Sequence, residues 1–67
     1  MKLIKNYECD REPTDEEITI GMSVANEEDC IVNLTWFVGY SGWYNIRIGK
    51  GTTFEECKKQ IPDCYPV

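Results

Sequence analysis

The 67-residue chain contains no histidine, no Cys-x-x-Cys pair and no long apolar segment. Without histidine, acid–base catalysis near neutral pH would depend on other side chains, and here the carboxylates stand in polar stretches where little would raise their pKa. The cysteine spacing matches no common zinc site. No stretch approaches the roughly 20 apolar residues of a membrane span, and no apolar run typical of a signal peptide follows the N-terminus. These absences predict a small cytoplasmic protein that has no metal or cofactor, is not an enzyme and does not bind a membrane.

Length and charge narrow the class of function further. A chain of this size forms one domain with a thin core, because folding buries only about 60 % of its surface. It has little room for an enclosed active site, so binding on a surface is expected. Twelve acidic against seven basic residues give a net charge of −5, which disfavours direct binding to nucleic acid. The same charge permits a protein partner with a basic surface.

The cysteines Cys9, Cys30, Cys57 and Cys64 leave two interpretations open. In a cytoplasmic protein they are expected to be reduced thiols, since disulfides are uncommon there. In a secreted protein of this size they would form stabilising disulfides, in one of three connectivities. Cys30 and Cys57 are in phase with predicted core residues, so both are expected to be buried as small apolar side chains.

The dominant pattern in the chain is strict alternation of apolar residues. Apolar side chains stand at every second position in three segments, which begin at Ile18, Val32 and Tyr44. A repeat of two places such side chains on one face of a β-sheet. A less regular first strand, at an edge, precedes them. The predicted strands are Leu3–Cys9, Ile18–Ala25, Cys30–Val38 and Trp43–Ile48.

A competing signal stands just before the second predicted strand. Thr14 and Glu17 have the Thr-x-x-Glu spacing of a helix-capping box. Pro13 and the dense charge around it favour a loop up to Glu17. The alternation that follows outweighs the capping signal, so a strand rather than a helix is predicted from Ile18.

Parity sets the register of the predicted hairpin between the last two strands. A three-residue loop, Tyr40–Gly42, pairs Val38 with Tyr44 and keeps the core residues of both strands on one face. A four-residue loop would send the core face of one strand to the solvent face of the other. Gly42 is expected to adopt the left-handed conformation.

The only predicted helix follows the last strand. Thr52 or Thr53 caps it, since each is followed three residues later by a glutamate. Its apolar stripe includes Phe54 and Cys57, and Pro62 ends it. The expected fold is therefore a single α+β domain, with a four-stranded, meander-like antiparallel sheet covered on one side by one C-terminal helix.

Two clusters remain as candidate binding sites, and neither has a catalytic arrangement. The first is a set of carboxylates in the two predicted acidic loops. Such charge could imitate the phosphates of a duplex and enter a basic groove. Alternatively, the carboxylates are solvated and only keep the protein soluble. The candidate residues are Glu12, Asp15, Glu16, Glu17, Glu27, Glu28 and Asp29.

The second cluster lies on the sheet face that the predicted helix leaves uncovered. Odd-numbered residues of the last two strands should point there, and exposed aromatic and arginine side chains are typical of binding hot spots. Alternatively, Trp43 folds over its own turn and Arg47 stacks on it. The candidate residues on this face and its turn are Ile31, Phe37, Tyr40, Trp43 and Arg47.

These features favour a small acidic protein-binding inhibitor or modulator. Bacteriophages and mobile elements encode many proteins of this size and charge, so the expected target is a nucleic-acid-processing or defence enzyme, as for an anti-CRISPR protein. One alternative is a self-associating module, in which Ile31, Phe37 and Trp43 face a second copy in a homodimer. Another is a disulfide-stabilised secreted inhibitor.

Overall fold

The computed structural model describes residues 2–66, which form a three-stranded sheet and two helices. In chain order the elements are β1 (Ile4–Cys9), α1 (Asp15–Glu28), β2 (Ile31–Val38), β3 (Gly42–Ile48) and α2 (Phe54–Lys59). The strand order is β1-β2-β3, with β1 parallel and β3 antiparallel to β2. The α+β class is confirmed. The four-stranded antiparallel sheet with a single C-terminal helix is wrong.

The segment predicted as the second strand is part of α1. The buried residues of α1 are Ile18, Gly21 and Ala25, which follow one another at the spacing of three and four that defines one face of a helix. Ile20, one of the alternating apolar residues, is 57 % exposed. The even-numbered apolar residues of this segment therefore do not share a face.

The capping box at Thr14 is formed, and it explains why the helix begins there. The Thr14 side chain accepts the Glu17 N–H at 3.2 Å, and the Glu17 carboxylate accepts the Thr14 N–H at 2.8 Å. At the other end, Asp29 adopts the left-handed conformation with φ of 49°, and its N–H bonds to the Ala25 carbonyl. A helix also satisfies the topology, because parallel strands such as β1 and β2 need a long crossover connection.

Even-numbered side chains of β2 and β3 face the two helices and form the core. The buried residues of the sheet are Val32, Leu34, Trp36, Ile46 and Ile48. Ile18, Ala25, Cys30 and Cys57 complete the same cluster. The predicted inward face of these two strands is thus confirmed, as is the burial of the two core cysteines.

The hairpin between β2 and β3 has the predicted parity but a shifted turn. Its three-residue loop is Gly39–Ser41, and Val38 pairs with Gly42 rather than with Tyr44. The predicted register is therefore out by two residues, which leaves the same side chains on the inner face. Gly42 has φ of 112°, a positive value that glycine adopts without strain.

The C-terminal segment of the chain closes over one end of the core. Thr53 caps α2 through a capping box with Glu56, as one of the two predicted alternatives. Beyond α2, the Tyr65 ring packs edge-on against Tyr44, with the ring centroids 4.8 Å apart. The Tyr65 hydroxyl accepts the Trp36 indole N–H at 3.1 Å and donates to a Glu12 carboxylate oxygen at 2.6 Å. The tail thus covers the end of the core at which Trp36 lies.

Candidate protein-binding surface

The face of the sheet opposite the helices has no covering layer among residues 2–66. Both helices pack against the inner face, and side chains alternate between the two faces along each strand. The outer face carries Ile4, Asn6 and Glu8 from β1, Ile31, Asn33, Thr35 and Phe37 from β2, and Trp43, Asn45 and Arg47 from β3. We call this set the outer face.

The largest exposed side chains on the outer face form an aromatic pair at its hairpin end. Phe37 and Trp43 lie directly opposite each other across β2 and β3, with ring centroids 5.1 Å apart and planes tilted by 57°. They are 50 % and 60 % exposed, respectively, and Tyr40 in the adjacent turn is 61 % exposed. Trp43 thus packs across the hairpin, whereas Arg47 lies opposite Asn33. The structure brings Phe37, Tyr40 and Trp43 to one end of the molecule.

The middle of the outer face is polar and held by its own hydrogen bonds. The Asn33 side-chain amide donates to the Asn6 side-chain oxygen at 3.0 Å, and the Thr35 hydroxyl donates to the Tyr7 carbonyl at 3.2 Å. Ile31 is half-buried and lies beside Ile4 of β1. The outer face therefore has two apolar regions separated by a polar band, and the aromatic one is the larger.

The candidate carboxylates were predicted to lie in two loops, but most of them lie on α1. Asp15, Glu16 and Glu17 occupy its first turn, Glu27 and Glu28 lie at its other end, and Asp29 is its C-cap. Four of them form ion pairs with cations from other segments. The pairs are Lys2–Asp29, Lys5–Glu28, Arg11–Glu17 and Lys58–Asp15. Exposed pairs of this kind add little stability, but they lower the local negative charge.

The electrostatic shifts agree with these contacts. A hydrogen bond from Lys2 holds the pKa of Asp29 below its ordinary value. The Thr14 backbone N–H lowers the pKa of Glu17, and the hydrogen bond to Asp15 raises the pKa of Lys58. The lowered pKa values keep Asp29 and Glu17 ionised at neutral pH, and each is already bound to an internal partner.

Two of the candidate carboxylates remain open to a partner. Glu16 and Glu27 are exposed, and no residue of the described chain forms an ion pair with either. They are eleven positions apart on one side of α1, which separates them by about 16 Å along its axis. Glu12 instead accepts the Tyr65 hydroxyl. The acidic candidates thus form two groups at the ends of α1 rather than one patch.

Sequence reasoning missed a groove between β1 and α1. It has a volume of about 330 Å³ and opens because α1 packs over β2 and β3 rather than over β1. Its lining includes Tyr7, Cys9, Ile20 and Val24. Burial raises the pKa of the Cys9 thiol, which keeps it protonated and weakly nucleophilic. The capping signal at Thr14 indicates the helix that forms one wall of this groove, but the groove itself depends on where α1 packs on the sheet.

No three metal-ligating side chains converge between residues 2 and 66, and all four cysteines are free thiols. None of the described helices has the length and apolar character needed to cross a membrane. Comparison with family models, curated proteins and solved structures finds no match.

Proposed function

We propose that this protein is a small protein-binding inhibitor or modulator, with the Phe37–Trp43 pair at the centre of its binding surface. The observation that supports this most strongly is the exposure of two paired aromatic rings, 50 % and 60 %, on an uncovered sheet face. Fully burying a large apolar side chain is worth about 1.5–3 kcal/mol. A partner that covers both rings would therefore gain a large part of its affinity there.

The aromatic pair is well suited to binding because it is held in place before a partner arrives. Phe37 and Trp43 are opposite residues of a continuous antiparallel ladder, and each ring restricts the other. Ordering side chains on binding costs about 0.5–1.5 kcal/mol for each flexible side chain, and a rigid platform avoids much of this cost. Arg47, exposed on the same face, adds a charged donor four residues along β3 from Trp43, which is about 14 Å along the strand.

The charge of the protein supports a partner with a basic surface. The net charge is −5, and Glu16 and Glu27 are exposed carboxylates outside the internal ion pairs. Such charges mainly accelerate association and select the partner, rather than supplying most of the affinity. Nucleic-acid-processing and defence enzymes have basic grooves, so we propose an enzyme of this class in the cytoplasm as the target, in the manner of an anti-CRISPR protein.

Comparative capture tests the role of the aromatic pair. Immobilised wild-type protein is incubated with cell lysate beside a Phe37→Ser/Trp43→Ser double variant and an Ile20→Ser control. Ile20 is 57 % exposed but lies on α1, away from the outer face. We expect the wild type and the control to retain the same protein, and the double variant to lose it. Equal retention by all three would contradict the proposal.

Charge reversal tests the electrostatic part separately. Glu16→Lys/Glu27→Lys removes the two open carboxylates without breaking an ion pair of the described chain. Glu17→Lys would confound the test, because Glu17 also caps α1. We expect slower association with the captured partner at low salt, and a much smaller effect at high salt. An association rate unchanged at both salt concentrations would exclude a basic partner surface.

A further inference from the structure

The outer edge of β3 is closed along only part of its length. The Gln60 side-chain amide accepts the Arg47 N–H at 2.9 Å and donates to the Arg47 carbonyl at 3.0 Å. Next along the edge, Thr52 accepts the Gly49 N–H at 3.0 Å and donates its own N–H to the Gly49 carbonyl at 3.1 Å. The segment after β3 therefore takes the place of a neighbouring strand at these two residues.

The remaining residues of this edge are open. In an antiparallel ladder, the N–H and C=O of alternate residues point to the same side. The N–H and C=O groups of Arg47 bond to Gln60 and therefore point away from β2. The β2–β3 register is continuous, so the N–H and C=O groups of Asn45 and Trp43 also point away from β2. No residue between 2 and 66 bonds to these four groups. They form an open window two residues long, bounded by Gln60 on one side and by the hairpin turn on the other.

We propose that this window pairs with β3 of a second copy of the chain, in an antiparallel dimer whose two-fold axis passes beside Tyr44. Alternating N–H and C=O groups at this spacing are matched by an extended backbone. In the proposed register, Trp43 pairs with Asn45 of the second copy and Asn45 with Trp43 of the second copy, forming four hydrogen bonds. This register uses all four open groups. Because Gln60 closes the edge at Arg47, a shift by two residues in either direction would leave only two of the four hydrogen bonds.

The side chains of the outer face favour a second copy over a foreign strand. In this register, Arg47 of the second copy is the diagonal neighbour of Trp43, at a distance that long side chains can span. A guanidinium over an indole ring gives a favourable cation–π contact. The two-fold symmetry creates this contact twice, whereas a foreign strand would have to supply a matching cation of its own.

The dimer has a structural consequence for the outer face. The two sheets would join into one six-stranded sheet, in the order β1-β2-β3-β3-β2-β1, with both Phe37–Trp43 pairs on the same surface. This inference does not depend on the proposed function. A protein that stays monomeric would keep its own aromatic pair, and capture by the Phe37–Trp43 surface would be unaffected.

Sedimentation equilibrium on the full chain, from about 10 µM to about 1 mM, tests the dimer. Asn45→Pro removes the outward N–H without removing a bond to β2, since proline is tolerated at a sheet edge. We expect wild-type mass to rise towards the dimer, Asn45→Pro to weaken dimerisation at least tenfold, and Arg47→Ala to weaken it several-fold. Wild type that remains monomeric, or a dimer that Asn45→Pro does not weaken, would overturn the proposal.

Amide hydrogen exchange in the wild type gives a second test that does not depend on the folding of a variant. Dimerisation should slow exchange at the Trp43 and Asn45 amides as concentration rises. The Arg47 amide is the internal control, because Gln60 already protects it in the monomer. Exchange at Trp43 and Asn45 that does not change with concentration would overturn the proposed pairing, even if the protein dimerises through another surface.

Discussion

The two tryptophans of this chain lie on opposite faces of the same sheet. Trp36 is 1 % exposed and stacks on Tyr44, with the ring centroids 5.9 Å apart. It donates its indole N–H to the Tyr65 hydroxyl. Trp43 is 60 % exposed and packs on one side only, against Phe37. Parity along the strands thus gives the same residue type two different roles. The inner tryptophan stabilises the fold, and the outer one is available to a partner.

The largest effect is expected from Trp36→Ala, which tests the inner face. Removing a buried tryptophan costs about 3–5 kcal/mol, since it leaves a cavity and removes apolar burial. A domain of this size has a total stability of only several kcal/mol, so we expect the variant to be largely unfolded at 25 °C. Circular dichroism with urea titration measures this. An unfolding midpoint close to that of the wild type would mean that packing of Trp36 on the inner face contributes little to the free energy of unfolding.

Gly21→Val should have the next largest effect, because it tests how closely α1 approaches the sheet. A Cβ atom at position 21 would lie 3.0 Å from Cδ1 of Ile48 and 3.5 Å from Cγ1 of Val32. Overpacking of this kind costs about 1–3 kcal/mol. Ser23→Val, at an exposed position of the same helix, controls for the effect of a β-branched side chain on the helix itself. Equal urea midpoints for the two variants would contradict the close approach of α1 to the sheet at Gly21.

Thr14→Ala should lower the free energy of unfolding by about 1 kcal/mol, because it removes the N-cap of α1. Thr19→Ala is the matched control, since the Thr19 hydroxyl bonds only to the Asp15 carbonyl within the helix. Urea denaturation of both variants measures the difference. A larger loss in Thr19→Ala than in Thr14→Ala would argue against the capping box as the start of α1.

Acid should destabilise the fold through the capping carboxylates. Backbone N–H groups of Thr14 and Thr53 hold the pKa values of Glu17 and Glu56 below their ordinary value of 4.5. A carboxyl with a lowered pKa in the folded state stabilises the protein above its unfolded pKa and loses this contribution as the pH falls through its folded pKa. We therefore expect the free energy of unfolding to decrease below about pH 4.5.

The measurement for this prediction is urea denaturation as a function of pH. Glu17→Gln/Glu56→Gln keeps oxygen acceptors at both capping positions but removes their titration. The double variant should lose less stability between neutral pH and acid than the wild type does. An identical pH dependence in the two proteins would assign acid sensitivity to other carboxylates.

Trp43→Ala should have the smallest effect on stability, within about 1 kcal/mol, because the ring is largely in water and packs on one side only. Its effect on partner capture should nevertheless be large, so stability and binding should separate between the two tryptophans. A loss of stability as large as that of Trp36→Ala would show that the outer face contributes to the fold, and would weaken the proposed binding role.

The sequence predicted β2, β3 and α2 better than it predicted α1. The segments starting at Ile18 and Val32 have the same alternation, yet one is a helix and the other a strand. The two segments differ in the small residues Gly21 and Ala25. These residues are not among the alternating apolar side chains, but together with Ile18 they form the buried side of α1. The capping box at Thr14 is the correct local signal for α1, although the alternation after it is typical of a strand.

The candidate surface was predictable in part. The outward orientation of Phe37 and Trp43 follows from parity, which a register error of two residues does not change. Their direct contact required the actual turn, Gly39–Ser41. The pairing of Asp15 with Lys58 joins residues 43 positions apart, so nothing in the local pattern indicated that this carboxylate was already engaged.

By itself, the sequence determined which side chains of β2 and β3 lie inside, the start of α2 to within one residue, and the exposure of Phe37 and Trp43. These properties depend on periodicity and capping, which act between residues close in the chain. Only the tertiary structure decided that α1 buries Ile18, Gly21 and Ala25 against the sheet, that β1 pairs in parallel with β2, and that β3 keeps a two-residue open edge. Each of these depends on contacts between distant segments, whose free energy exceeds the local preference of the chain.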